Sequence, residues 1–266
     1  MAAIGTRYST DTLGFSDRQI TYYAERAKGG VGMIIVEATC VDRKHSGLYP
    51  TLTLDKDSYI PGHAELVEAL HRHGARAALQ IFHPGRHASL DYNNGQQPVA
   101  PSPLPSPRNR VMPRELSIAD VEELVAEFAA AAHRAQRAGY DALEIHGAHG
   151  HLLHQFLSPR MNQRSDKYGG SLENRMRFSV EVISHVKAAT RGALPVIFRL
   201  TAQESKEGGY TAGDARAYAQ MAVSAGADAI HVTAGTYDDD KDNIDPTVSP
   251  PSFPQGWLVP YAHTIK

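Results

Sequence analysis

The sequence predicts an α/β protein built on parallel strands, and two observations carry this. Short apolar runs alternate with longer stretches whose apolar residues recur at helical spacing. The polar candidates His83, His146, Thr201 and Thr233 each stand just after one of those runs. A crossover helix returns the chain to the same end of the sheet, which makes consecutive strands parallel. An open doubly wound sheet and a closed (β/α)8 barrel both produce this alternation. Polar residues at strand ends are where a barrel keeps its active site.

In order, residues 31–37 (VGMIIVE) form a continuous apolar run and read as a buried strand. Residues 61–73 follow as a helix, with Leu66, Val67 and Leu70 on one face, and 76–82 (RAALQIF) as the next strand. Residues 93–114, rich in Pro, Asn and Gly, read as a long loop. Ser117 with Asp120 three residues on is an acidic form of the capping box. It opens a helix to about Arg137, with Gly139 as its stop. Residues 140–145 (YDALEI), 195–200 (PVIFRL) and 228–232 (DAIHV) are strands; 171–189 and 211–225 are helices, the latter ended by Gly226.

The chain of 266 residues is 42% hydrophobic and 21% charged, with a formal net charge of −2. Such a balance points to no nucleic acid and no membrane surface as partner. The apolar runs are too short to span a bilayer, and the first eight residues lack the layout of a signal peptide. A cytoplasmic location is expected. Cys40 is the only cysteine, so no disulfide framework arises within one chain.

Three clusters carry chemistry. Gln80 and His83 end a strand before Pro84-Gly85-Arg86; the plain reading is a satisfied turn with a surface arginine. His146-Gly147-Ala148-His149-Gly150-His151 places imidazoles among small residues that leave room for a ligand, with His154 one turn further. Arg199 ends an apolar strand, and a cation there needs a partner because an unpaired buried charge is very costly.

The stretch 144–178, EIHGAHGHLLHQFLSPRMNQRSDKYGGSLENRMRF, closely resembles the signature of the old yellow enzyme family, in the branch of dienoyl-CoA, enoate and bile-acid reductases. LQIFHPGR (79–86), PVAPSPLPSP (98–107), FRLTAQE (198–204), GGVGMIIVEAT (29–39) and MAAIGTRY (1–8) match in the same order, so the resemblance covers essentially the whole chain. It implies a TIM barrel carrying FMN across its mouth and using NADH or NADPH to reduce alkenes conjugated to a carbonyl or thioester. By this resemblance Gln80 meets the pyrimidine edge of the flavin, Arg199 the N1 and C2 carbonyl side, and Ala3, Ile4, Gly5 and Thr6 the N5 and O4 side; Ala38 lets the ring lie close. His146 and His149 match the pair that grips the substrate carbonyl.

There are departures. Where the family usually has a tyrosine as proton donor, two residues after the second of those histidines, this chain has His151. The resemblance makes His151 the candidate acid; the competing reading has His151 only lining the pocket while water supplies the proton. Ala3-Ile4 replaces the common Pro-Met. About six strand positions are counted against the eight of a closed barrel, so the expectation is one partial barrel domain over 1–266, truncated at both ends, with strands 7 and 8 missing and no Gly-rich phosphate cradle. An iron–sulfur centre and a second dinucleotide-binding domain are not expected in this chain; a homo-oligomer is compatible with it.

Two other readings compete: an inactive barrel fragment that binds flavin weakly or not at all, and a zinc hydrolase using His83, His146, His149 and His151. Structural roles are expected for Arg164, Asp166, Gly169, Gly170, Asn174 and Arg175, which shape the entry to a helix, and residues 238–240 read as a solvated acidic loop.

Overall fold

In chain order the computed structural model contains α1 (Asp17–Lys28), β1 (Met33–Cys40), α2 (Ile60–His71), β2 (Arg76–Phe82), the two-residue strands β3 (Val99–Ala100) and β4 (Arg114–Glu115), α3 (Ile118–Arg137), β5 (Ala142–Gly147), α4 (Leu152–Leu157), α5 (Leu172–Ala189), β6 (Val196–Thr201), α6 (Ala212–Ser224), β7 (Ala229–Thr233) and α7 (Val259–Ile265). It describes residues 1–42, 44, 47–49, 51–93, 95–238 and 254–266. Five strands form one parallel sheet in the order β1-β2-β5-β6-β7, and β3 pairs with β4 inside the long loop.

The count of about six strands is corrected to five in this sheet. The first segment is not a strand: Met1 is the residue that pairs with the β1 backbone, accepting from the Ile35 amide at 3.0 Å and donating its terminal amine to the Met33 carbonyl at 2.6 Å. The sequence reading also passed over α1, α4 and α7. α1 carries few apolar residues, and α4, with its six residues, is too short to show a period.

Side chains alternate across each strand. Ile34, Val36, Ala77, Leu79, Ile81, Leu143, Ile145, Phe198 and Leu200 join the main core with Val121, Phe128, Phe178 and Val182 from the helices. Phe128 and Phe178 meet edge to face, with centroids 6.5 Å apart. Each fully buried Val, Leu, Ile or Phe among them contributes about 1.5–3 kcal/mol. The opposite face is different: Ile35, Ala78 and Ala142 form a small cluster with Ala3, and above it the positions turn polar.

Strand register is held by a repeated device. Asp141 accepts from the Ala77 amide and donates its own amide to the Ala77 carbonyl, both at 2.8 Å, while Arg76 donates to its carboxylate at 2.7 Å. Asp228 does the same to Val196, at 2.7 and 2.8 Å.

Helix starts follow the local chemistry seen in the sequence. Ser16, Ser171 and Thr211 cap α1, α5 and α6, and Ser117 with Asp120 forms the reciprocal box at α3. Arg114 beside Asp120, together with the Ser117 donors and against a burial effect, holds the carboxyl down to about 2. Replacing Ser117 with Ala is expected to cost about 1 kcal/mol in urea denaturation. The contribution of Asp120 is present above the unfolded carboxyl range near 4 and fades as pH falls towards 2, so the gap between wild type and Asp120→Ala narrows in acid.

Candidate active site

The polar face of the sheet opens into a cavity at the C-terminal ends of the strands. Its walls are Ala3, Ile4 and Gly5 from the first segment, Ala38 of β1, Gln80 and Phe82 of β2, His146 of β5, His149 and His151 after it, and Arg199 of β6, together with Tyr49 and Tyr237. Including the open space at its mouth it measures ≈ 500 Å³.

Two buried carboxyl groups organise these walls. Glu37 of β1 accepts from the Thr6 amide at 2.9 Å, from the Thr6 hydroxyl at 2.6 Å, and from Gln19 of α1. These bonds draw the first segment over the sheet and bring Ala3, Ile4 and Gly5 to the cavity. Thr6 itself does not line it, because its hydroxyl is spent on Glu37. Glu144 of β5 is fully buried; Gln80 donates to it at 2.6 Å and His231 lies 2.5 Å from its other oxygen. Gln80 keeps its carbonyl oxygen and a second amide hydrogen for a ligand.

Arg199 is buried at 8% exposure, and burial pushes its guanidinium pKa down against the opposing fields of Glu144 and Tyr237. Its Nε has no hydrogen-bond partner among the described residues.

The turn after β5 aims the histidines. A Cβ at Gly147 would lie 2.3 Å from Phe198 Cζ, so the strand end passes β6 too closely for any side chain. His149 takes a left-handed conformation, φ 62°, and Gly150 follows at φ 82°. The strained residue is held from both sides: its amide donates to Thr201 Oγ1 at 3.1 Å and its carbonyl accepts from the Tyr237 amide at 3.2 Å. Its ring Nε2 lies 3.0 Å from Thr233 Oγ1.

His146 packs edge to face with His149 at 5.1 Å and with His151 at 4.7 Å between centroids. His151 also meets Phe82 at 5.1 Å and Tyr237 at 5.3 Å, and its Nδ1 has no hydrogen-bond partner among the described residues. Burial holds all three imidazoles well below the ordinary range, and the neighbouring cations and imidazoles lower them further. They are neutral at physiological pH.

Other candidates fall elsewhere. His83 is buried beside Asp42 and accepts the Gly85 amide at 3.0 Å. His154 faces Glu204. No group of three His, Cys, Asp or Glu side chains is arranged to hold a metal ion among the described residues. Arg164 chelates Asp166 at 3.0 and 2.6 Å and bonds the carbonyls of Pro101 and Leu116, fastening the long loop.

The solvated acidic loop expected at 238–240 is corrected for its first residue. Asp238 is buried and paired with Arg86, which is itself buried and no surface arginine, because each charge needs the other once water is excluded. Residues 239 and 240 lie outside the described residues.

Sequence reasoning missed Tyr49 and Tyr237. The strand-end rule that singled out Thr233 reaches Tyr237 four residues later; Tyr49 lies in a loop with no local signal.

A sequence model of the NADH:flavin oxidoreductase / NADH oxidase family matches residues 1–245. The chain is 44% identical over 267 residues to an NADH oxidase of Thermoanaerobacter brockii, covering 100% of this chain and 40% of that protein. Its fold is similar to morphinone reductase (TM-score 0.83, 31% identity, 100% of this chain and 71% of that one). It is also similar to a 2-naphthoyl-CoA reductase in complex with 2-naphthoyl-CoA (TM-score 0.84, 29% identity, 90% and 38%). The chain belongs to the NADH:flavin oxidoreductase / NADH oxidase family, and its sheet is part of a barrel of old yellow enzyme type. It spans 40% of the length of the T. brockii relative. No helix among the described residues is long and apolar enough to cross a membrane.

Buried neutral histidines make the fold acid-sensitive. Burial holds His63 at about 4 and His87 at about 3. Unfolded, these groups take protons near 6.5. Stability is therefore complete above that pH and is lost as pH falls below it towards 4. The urea midpoint should drop between pH 7.5 and pH 5, and His63→Gln, which removes one titrating group, should lose less over that interval.

Proposed function

We propose that this chain forms the flavin- and substrate-binding portion of an FMN-dependent NAD(P)H oxidoreductase that reduces C=C bonds conjugated to a carbonyl or thioester. The observation that carries it is the convergence of Arg199, Gln80, small residues and paired imidazoles on one cavity. The residues fit a flat, carbonyl-bearing ring. Arg199 has a buried N–H with no partner among the described residues, and Ala3, Gly5 and Ala38 leave a low floor on which a ring can lie.

When bound, FMN supplies hydride after taking it from NADH or NADPH. Arg199 would set its cation against the ring edge where negative charge collects on reduction. Gln80, braced by Glu144, would offer donor and acceptor side by side.

His146 Nδ1 accepts from the Ala148 amide at 3.3 Å, which puts its proton on Nε2. A Thr233 hydroxyl that donates to His149 Nε2 leaves that proton on Nδ1. Two neutral N–H donors on one carbonyl oxygen pull electrons from the conjugated alkene and stabilise the charge that gathers on that oxygen. The relative solved with 2-naphthoyl-CoA supports a thioester as one such carbonyl.

The chain, mixed with FMN and freed of excess, is expected to keep a visible flavin band. Arg199→Met should weaken retention at least about tenfold. With an added cyclic enone and NADH, His146→Ala or His149→Ala should lower kcat/KM by about 10²-fold or more. A colourless chain after FMN addition overturns the proposal.

A further inference from the structure

We infer that Tyr237 is the acid that protonates the α-carbon of the alkene, in the role that the sequence alone hands to His151. The inference rests on the alkene-reducing function proposed above. Tyr237 lines the cavity, with its ring 5.3 Å from His151 and 6.4 Å from His149 between centroids. It is thus beside the imidazoles that would grip the carbonyl.

The position is built, not incidental. The Tyr237 amide donates to the His149 carbonyl at 3.2 Å, and Thr236 makes a bridge with His149. On its other side Asp238 is locked to Arg86 in a buried ion pair. The residue is therefore tied at both flanks to segments that form the site.

The surroundings suit proton release. The Arg108 guanidinium lies over the Tyr237 ring, 4.7 Å from its centroid, and Arg199 adds a second cation on the same cavity. Both stabilise the phenolate left after transfer. His151 has the weaker chemistry: as a neutral imidazole it would leave an imidazolate. A free phenol keeps its proton up to about pH 10 and gives it up far more readily than a neutral imidazole does.

The step balances. Hydride forms a C–H bond at the β-carbon, and the π pair moves to the α-carbon. The Tyr237 O–H bond breaks, its hydrogen forms the second C–H bond, and water reprotonates the phenolate. Two electrons come from NAD(P)H through the flavin, and one proton comes from the tyrosine.

The test uses the FMN-loaded chain, reduced beforehand and mixed with either 2-methylcyclohexenone or ferricyanide. Ferricyanide takes electrons without protonating carbon. Tyr237→Phe is expected to lower the ratio of enone rate to ferricyanide rate by about 10²-fold, and by more than His151→Phe does. In D2O, wild type should place deuterium at the α-carbon on one face, and the Phe variant on both. With 3,5-difluorotyrosine in place of Tyr237, a more acidic residue of the same shape, the alkaline limb of the enone rate should move to lower pH. An unchanged ratio in Tyr237→Phe, or a fall confined to His151→Phe, overturns the assignment. Wild type that reduces ferricyanide but no activated alkene overturns the alkene reading, and this assignment with it.

Discussion

Glu144 sits at the centre of the sheet with no solvent contact, and the site depends on how its buried carboxyl group is answered. Gln80 reaches it from β2, His231 from β7, and the field of Arg199 from β6. A carboxyl group in that position is costly unless such partners surround it. Each partner is thereby fixed in direction. Gln80 cannot turn away without stranding an acceptor, and Arg199 can stay charged inside the barrel. Glu37 has the same role on β1, bringing the first segment over the sheet through Thr6 and Gln19.

Around this braced layer the cavity separates its electrical duties. Arg199 supplies the positive charge. The imidazoles, kept neutral by burial, supply directed N–H groups without adding charge. An imidazolium in place of His146 or His149 would crowd a second cation beside Arg199. The strain at His149 belongs to the same design, since its left-handed backbone is held between Thr201 and Tyr237 and turns its ring towards Thr233.

Much of this was readable from residue order. Strand β2 falls on the residues expected, and the other four strands of the sheet lie within a few residues of their apolar runs. Ser117, Ser171 and Thr211 cap helices because their side chains act on amides two or three residues away, which is a local matter. Strand-end position flagged His146 and Thr233 for the same reason. What local rules could not reach was set by distant partners. Asp238 looks like one of a run of solvated acids until Arg86 is brought against it. Thr6 resembles a ligand contact until Glu37 takes its hydroxyl. Met1 pairs with β1 through a single residue, too little to make a strand.

The aspartate clamps at Asp141 and Asp228 have a consequence for precision. Side-chain alternation distinguishes the two faces of a strand, but a parallel strand displaced by two residues would present the same face. Such a slip would move every wall residue by about 6.6 Å along the barrel. Asp141 and Asp228 each grip one chosen amide of the preceding strand, Ala77 and Val196. They work like the zero mark of a ruler, so that Glu144 stands level with Gln80, and His146 with Arg199. The alignment of the cavity walls is thus calibrated at the opposite end of the strands, by groups that do not line the cavity.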